Sequence, residues 1–437
     1  MRVAVIGTGY LGAVHAAGMA HLGFDTVGVD VDEAKVAALQ SGTSPFYEPG
    51  FDPILAEQVA SGRLRFSTDF SEISDADVVF IGVGTPQKAD SHAADLTYID
   101  SAIASITPHL KDGALVAGKS TVPVGTAQRL AEYVAEHTPE GVTAELAWNP
   151  EFLREGFAVQ DTLHPDRLVF GVTSERAEKV LREVYAQTIE QDGTPVVVTD
   201  LPTAELVKVA ANSFLATKIS FINAMAEICE FAGADVTKLA DAIGHDDRIG
   251  RKFLNAGVGF GGGCLPKDIR AFSARAGELG AGHALEFLAE IDKINSRRRE
   301  HVVELARREL GGDLHGRRVA VLGAAFKPNS DDVRDSPALA VAGQLHLAGA
   351  DVHVFDPKGM ANAAKVYPTL TYADSAQDAI TGADLVVHLT EWKEFRELDP
   401  AALKEIVGRP TVIDGRNALD AEAWRAAGWT YRGLGRP

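Results

Sequence analysis

The stretch that most constrains the fold lies at the start of the chain. Arg2-Val3-Ala4-Val5-Ile6 is a short apolar run, Gly7-Thr8-Gly9-Tyr10-Leu11-Gly12 follows it, and an amphipathic segment continues to about Leu22. A second apolar run, Thr26-Val27-Gly28-Val29, then ends on Asp30. Strand, glycine turn, helix, strand and a closing acid describe the first βαβ unit of an open parallel sheet. Each glycine has its own reason. Gly7 makes the tight turn, Gly9 lets backbone approach a pyrophosphate, and Gly12 lets the helix pack on the strand. Asp30, 18 positions after Gly12, is placed to accept hydrogen bonds from an adenosine ribose. Asp30 and Asp32 together repel a 2′-phosphate, so NAD is expected rather than NADP.

The alternation continues. Strand-like runs recur at 77–83, 114–118, 145–148, 168–172 and 195–198, most of them separated by helical stretches. That pattern predicts an α/β, doubly wound parallel sheet, whose ligands bind beyond the carboxyl ends of the strands. At those ends lie Gly84-Thr85-Pro86, Lys119-Ser120-Thr121-Val122-Pro123 and the run from Asn149 to Gly156. From Thr203 to about Ala232 the chain reads as one long helix, with further helix over 266–280 and 283–310. At Arg317 the strand pattern restarts, with runs at 318–326, 351–356, 383–389 and 410–414. Its first turn lacks the glycine spacing, so a second dinucleotide site is not expected there; Lys327 and Arg416 follow two of its strands, and cations at strand ends suit a nucleotide diphosphate. The expected domains are 1–200 (Rossmann-like, NAD-binding), 201–310 (helical) and 311–437 (a second Rossmann-like domain).

Composition excludes several classes. The formal charge of −19 works against nonspecific nucleic-acid binding. No apolar run approaches the ~18 residues of a membrane helix. Two cysteines make no disulfide framework, and Met1-Arg2-Val3 enters a strand directly with no signal-peptide pattern, so a cytoplasmic protein is expected. No metal site is expected.

One of the two cysteines stands in Phe260-Gly261-Gly262-Gly263-Cys264-Leu265-Pro266-Lys267-Asp268. Three glycines strip the backbone so that another molecule can approach closely, and Pro266 suits the first turn of a helix. Cys264 then precedes a helix N-terminus, whose dipole favours thiolate. A glycine turn with a buried cysteine is the alternative reading of the same residues. Lys208 and Asn212, four apart on the long helix, share one face and read either as a solvated pair or as part of a site. Cys229, among apolar neighbours, reads as core.

Taken in order, these motifs resemble the nucleotide-sugar 6-dehydrogenases of the UDP-glucose/GDP-mannose dehydrogenase family. The resemblance rests on Gly7–Gly12, Tyr47-Glu48-Pro49-Gly50, Val83-Gly84-Thr85-Pro86, Ser120–Thr126, Asn149–Gly156, Lys208 with Asn212, the Cys264 loop and Asp331-Asp332-Val333-Arg334-Asp335-Ser336-Pro337. It implies a four-electron oxidation, in which UDP-glucose, two NAD and water give UDP-glucuronate. By position, Cys264 is the implied nucleophile, passing through a thiohemiacetal and a thioester. Lys208 stabilises the oxyanion with help from Asn212, Asp268 and Thr121 handle water, and Glu151 does acid–base work. Lys35, Thr85, Thr121, Glu155 and Arg334 are implied NAD contacts beside Gly7, Gly9, Gly12 and Asp30. Substrate contacts are implied at Glu151, Phe152, Leu153, Lys208, Asn212, Phe253, Gly261, Lys327 and Arg416. Arg248 matches an arginine that reaches a neighbouring subunit, which implies a homodimer or larger assembly. The chain departs from the family pattern at Gly263 (usually serine), Leu265 (usually phenylalanine, and leucine in the GDP-mannose branch) and Pro328 (often basic). The alternatives are GDP-mannose or a UDP-N-acetylhexosamine as substrate, or a noncatalytic nucleotide-binding regulator.

Overall fold

The structure, a computed structural model, describes residues 1–437. The first sheet contains β1 (Arg2–Ile6), β2 (Asp25–Val29), β3 (Leu64–Ser67), β4 (Val78–Ile81), β5 (Leu115–Gly118), β6 (Glu145–Trp148), β7 (Leu168–Gly171) and β8 (Val196–Thr199), in the order β3-β2-β1-β4-β5-β6-β7-β8. β1 pairs in parallel with β2 on one side and β4 on the other, so the winding reverses at β1 and a crevice opens beyond its carboxyl end. The strands are short apolar runs buried on both faces. Val3, Val5 and Phe80 point to one core, and Ala4, Ile6, Val79 and Ile81 to the other. The helix Tyr10–His21, expected to be amphipathic, is instead buried continuously from Gly12 to Ala20. It packs against β1 and β2 and against the helices Phe51–Ala60 and Ala158–Leu163, which cover the side that the sequence pattern assigns to solvent.

The sheet is not wholly parallel. β6 meets β7 antiparallel through Trp148 and Gly171, and β8 follows β7 in the new direction. A parallel return needs a crossover over the sheet face. Here the segment after β6 stays at the carboxyl end, where its amides are tied down, and re-enters the sheet from that end.

The second sheet contains β9 (Arg318–Leu322), β10 (Asp351–Phe355), β11 (Thr371–Tyr372), β12 (Leu385–His388), β13 (Thr411–Asp414) and β14 (Thr430–Gly433), in the order β11-β10-β9-β12-β13-β14, all parallel. A 32-residue helix, Leu201–Ala232, begins two residues before its expected start, with Pro202 in its first turn. The helices Val236–Gly244, Leu265–Glu278 and Glu286–Glu309 follow. Cys229 is 2% exposed in an apolar cluster with Ile222 and Val236.

The chain divides into two compact units, Met1–Ala211 with Ala274–Gly280, and Asn212–Ser273 with Ala281–Pro437. No helix is long and apolar enough to cross a membrane.

Candidate active site

In the first unit, Gly7 adopts φ +83°, and a Cβ on Gly12 would lie 1.8 Å from the Gly7 carbonyl oxygen. A Cβ on Gly9 would meet nothing within 4 Å. Gly9 also begins the helix Tyr10–His21 without any side-chain cap, which leaves its first amides available to an anion. Asp30 stands at the end of β2 and accepts hydrogen bonds from the Thr8 amide at 2.7 Å and from Lys35 Nζ at 3.0 Å. Burial works to raise the Asp30 carboxyl, but Lys35 and the amides of Asp32 and Thr8 outweigh it and hold the group below its usual range. An open turn, uncapped helix amides and an ionised acid at the next strand end fit a dinucleotide. Thr85 and Thr121 are brought together: the Thr85 hydroxyl donates to the Thr121 carbonyl at 2.7 Å, joining the loops after β4 and β5.

The run from Asn149 to Ala158 is held at both ends. Near its far end, Glu48, 4% exposed, accepts the amides of Gly156 at 2.6 Å and Ala158 at 2.7 Å. Its carboxylate also accepts the hydroxyl of Tyr10, the first residue of the glycine-turn helix. Burial raises the Glu48 carboxyl above its usual range against those three donors. At the near end, the Asn149 side chain is held by Lys119 and Tyr185. Between the clamps, Glu151 Oε1 lies 3.0 Å from Nζ of buried Lys208, so these two predicted residues form an ion pair. Glu151 Oε2 accepts the Leu153 amide. Phe152 lies beneath the Arg167 guanidinium, 3.7 Å from its ring centroid, and Glu155 sits half-buried before the clamped Gly156. The turn after β5 is braced by Glu205, which is 2% exposed and accepts the amides of Gly125 and Ala127 at 2.8 and 2.6 Å. Burial pushes the Glu205 carboxyl up to about 7.

In the second unit, Cys264 is exposed, and its carbonyl accepts the Asp268 amide at 2.9 Å as the helix Leu265–Glu278 begins. Asp268 is 1% exposed. One of its oxygens accepts Asn212 Nδ2 at 2.6 Å, and the other lies 2.7 Å from Lys267 Nζ. Asn212 and Asp268, 56 residues apart in sequence, are thus in direct contact. The glycine run is approached closely by the chain itself. A Cβ on Gly261 would lie 2.2 Å from the Asp335 carbonyl, one on Gly262 2.7 Å from the Phe326 ring, and one on Gly263 2.4 Å from the Arg334 guanidinium. The space where relatives carry a serine side chain is therefore taken by Arg334, which also chelates Asp332 through two nitrogens. Asn295, 1% exposed, pins Phe260 through both amide and carbonyl.

The remaining predicted residues are more scattered. Arg416 donates to the carbonyls of Leu389, Gly259 and Phe326 at 2.7, 2.8 and 3.2 Å, which ties three segments together. Lys327 follows β9, its ammonium 5.2 Å from the Phe326 ring. Arg248 is exposed and paired with Asp246, and Phe253 is held at φ +65° with its ring partly exposed. No group of three His, Cys, Asp or Glu side chains is arranged to hold a metal ion. Sequence reasoning assigned no role to Lys119, Glu48, Tyr10 or Glu205. Their partners lie from about thirty to more than a hundred residues away; for Lys119 and Glu205 the available signal was a charge within a largely apolar stretch, and Tyr10 and Glu48 offered none beyond their motifs.

Comparison with known proteins agrees along the whole chain. Residues 1–189 match the NAD binding domain of the UDP-glucose/GDP-mannose dehydrogenase family, residues 202–297 its central domain and residues 320–421 its UDP binding domain. The chain is 42% identical over 440 residues to UDP-glucose 6-dehydrogenase of Rhizobium meliloti (strain 1021), covering 100% of both. It is 39% identical over 438 residues to UDP-glucose 6-dehydrogenase YwqF of Bacillus subtilis (strain 168), covering 100% of this chain and 98% of that one. Among solved structures, a UDP-glucose dehydrogenase from the archaeon Pyrobaculum islandicum superposes with a TM-score of 0.90 at 38% identity, covering 100% and 98% of the two chains. A UDP-D-ManNAc dehydrogenase from Pyrococcus horikoshii gives 0.86 at 27% identity, covering 100% and 99%.

Proposed function

The chain is an NAD-dependent dehydrogenase of the UDP-glucose/GDP-mannose dehydrogenase family, and from that premise we propose that it oxidises the C6 alcohol of UDP-glucose to the carboxylate of UDP-glucuronate. The relatives that carry the name UDP-glucose 6-dehydrogenase match it end to end, which supports this sugar over its rivals. Bound at Gly7–Gly12 and Asp30, NAD supplies the hydride acceptor for each of two oxidations. The C6 alcohol loses hydride and a proton to give the aldehyde, and the Cys264 thiolate adds to it as a thiohemiacetal. Loss of a second hydride leaves a thioester, which water cleaves to carboxylate and free thiol. Lys208 stabilises the developing oxyanion, and its pair with Glu151 keeps a proton donor and acceptor side by side. Asp268, aided by Asn212 and Thr121, orients or deprotonates the water.

One observation carries this reading: an exposed thiol at the first turn of a helix, with a buried carboxylate one turn further on. A helix start favours thiolate, and the carboxylate is held in place by Asn212 and Lys267. The three-part division is part of the proposal, with 1–200 holding NAD, 201–310 carrying the cysteine loop and 311–437 holding the uridine diphosphate through Lys327 and Arg416. So is a homodimer. Phe214, Phe221 and Ile228 recur every seven residues along Leu201–Ala232 with Phe231 beside them, all exposed, and a stripe of that size suits a second copy of the chain. Two cysteines that form no disulfide suit the cytoplasm.

The test is NADH formation by the purified protein with UDP-glucose, GDP-mannose and UDP-N-acetylhexosamines, for wild type and Cys264→Ala. UDP-glucose is expected to support the fastest turnover, and Cys264→Ala to abolish it while NAD still binds. Full turnover in Cys264→Ala would sink the covalent route.

A further inference from the structure

Lys119 follows β5 and is 7% exposed. Its Nζ donates to Asn149 Oδ1 at 2.9 Å and to the Tyr185 hydroxyl at 3.0 Å. It lies between two aromatic faces, 5.3 Å from the Phe80 centroid and 5.6 Å from that of Tyr185. Asn149 is fully engaged: Tyr185 donates to its oxygen at 2.7 Å, and its Nδ2 donates to the Val169 carbonyl at 3.0 Å. Asn149 is followed at once by Pro150 and Glu151, so whatever fixes Asn149 fixes the base of the Glu151 side chain. Lys119 and Glu151 also line one cavity beneath this segment. The other charged and titratable groups facing that cavity from the surrounding elements are His15, Tyr185, Asp161, Asp166 and Arg167, and Glu151 itself is ion-paired with Lys208 on the long helix at 3.0 Å.

We propose that Lys119 is a positioning residue for the acid–base chemistry at Glu151: it fixes Asn149 in place and presents a buried positive charge to the Glu151 carboxylate. The proposal rests on the role given to Glu151 above. A purely structural staple is the rival, because the same contacts tie β5, β6 and β7 together at the point where the sheet reverses. Two features favour the electrostatic role. A staple needs no charge, and burial penalises one here, pushing the Lys119 ammonium down to about 7. The Glu151 carboxylate acts in the opposite direction and favours the charged lysine. His15, also buried, has its charged form disfavoured by burial and then by Lys119, so the lysine is the cation of this cavity's inner end.

The experiment compares pH profiles of kcat/KM for UDP-glucose in wild type, Lys119→Met, Lys119→Gln, Tyr185→Phe and Glu151→Gln. Gln keeps hydrogen bonding to Asn149 and Tyr185 without the charge, which guards against a Met variant that does not fold. Tyr185→Phe removes two hydrogen bonds, to Lys119 and to Asn149, and keeps the charge. The acid limb should move up in both neutral Lys119 variants, the direction expected when a positive charge is withdrawn from the cavity that Glu151 also lines. It should stay in place in Tyr185→Phe and vanish in Glu151→Gln. A staple would lower rates without moving the limb. Coincident limbs in wild type and Lys119→Gln would overturn the proposal, as would a limb that survives Glu151→Gln. Either result leaves the covalent reading standing, whereas a fully active Cys264→Ala would remove that reading whatever the limbs do.

Discussion

Asp30 at the end of β2 and Asp356 after β10 occupy matching places in two sheets wound the same way, and their surroundings differ. Around Asp30 the strand ends are glycines, and neither Gly9 nor Gly84 has an atom within 4 Å of where a Cβ would stand. Around Asp356 that room is filled. Its carboxylate accepts the amides of Ala324, Ala325, Lys358 and Gly359 at 2.7–3.0 Å and the Trp392 indole N–H at 3.1 Å. Thr390 Oγ1 lies 2.3 Å from where a Gly323 Cβ would be. One sheet keeps its glycine turn open, with its acid held by Thr8, Asp32 and Lys35, and the other fills its turn and spends the matching acid on its own backbone and an indole. Topology creates the crevice, and the side chains at three strand ends decide whether a ligand can use it.

The comparison can be broken most severely at Gly12. Gly12→Val drives a side chain into the Gly7 carbonyl, and NAD binding should weaken by at least about a hundredfold, read by calorimetry. Binding within a few-fold of wild type would remove the glycine loop from the cofactor site. On the second sheet, Asp356→Asn replaces one acceptor oxygen by an amide donor that faces N–H donors, and leaves buried amides unpaired. Stability should fall by about 2–4 kcal/mol in urea while NAD affinity holds. A smaller step sharpens the first sheet: Asp30→Asn should narrow the preference for NAD over NADP by roughly tenfold, and an unchanged ratio would contradict the account of Asp30.

The smallest effect separates the sheets by pH. In the first, Lys119 sits near 7 when folded and near its ordinary high value when unfolded, so the unfolded chain binds the extra proton above neutrality. Its contribution therefore makes the protein more stable as pH rises from 7, and Lys119→Met should flatten that rise. In the second, burial raises the Asp414 carboxyl, but His388, at 2.8 Å, and other partners hold it below its usual range. Its contribution is present above the ordinary carboxylate range and lost only in acid, so Asp414 variants should lose stability at neutral pH, with the deficit shrinking as the pH falls into acid.

Much of this was legible in the sequence. The glycine spacing, the acid 18 residues on and the restart at Arg317 each rest on local periodicity, and each has its strand in the structure. The reversal at β7 was not legible, because a strand carries its apolar pattern but not its direction. β11 is two residues long and β14 carries mixed polarity, so neither gave a clear pattern. Cys264 and Asp268 could be related by helical spacing, whereas the Asn212 contact to Asp268 depends on a fold that joins positions 56 residues apart. For the same reason Tyr47-Glu48-Pro49-Gly50 could be recognised as a motif without disclosing that Glu48 holds the amides of Gly156 and Ala158.

The central claim is covalent oxidation at Cys264, and Asp268→Asn tests it most directly. The substitution keeps the shape of a buried side chain held by Asn212 and Lys267 and removes its charge. Thioester hydrolysis should slow by roughly the 10²–10⁴-fold that accompanies loss of a general base. After incubation with NAD and UDP-glucose, intact-protein mass spectrometry should then find a sugar-nucleotide adduct on Cys264. Unmodified Cys264 together with near-normal turnover would contradict the account.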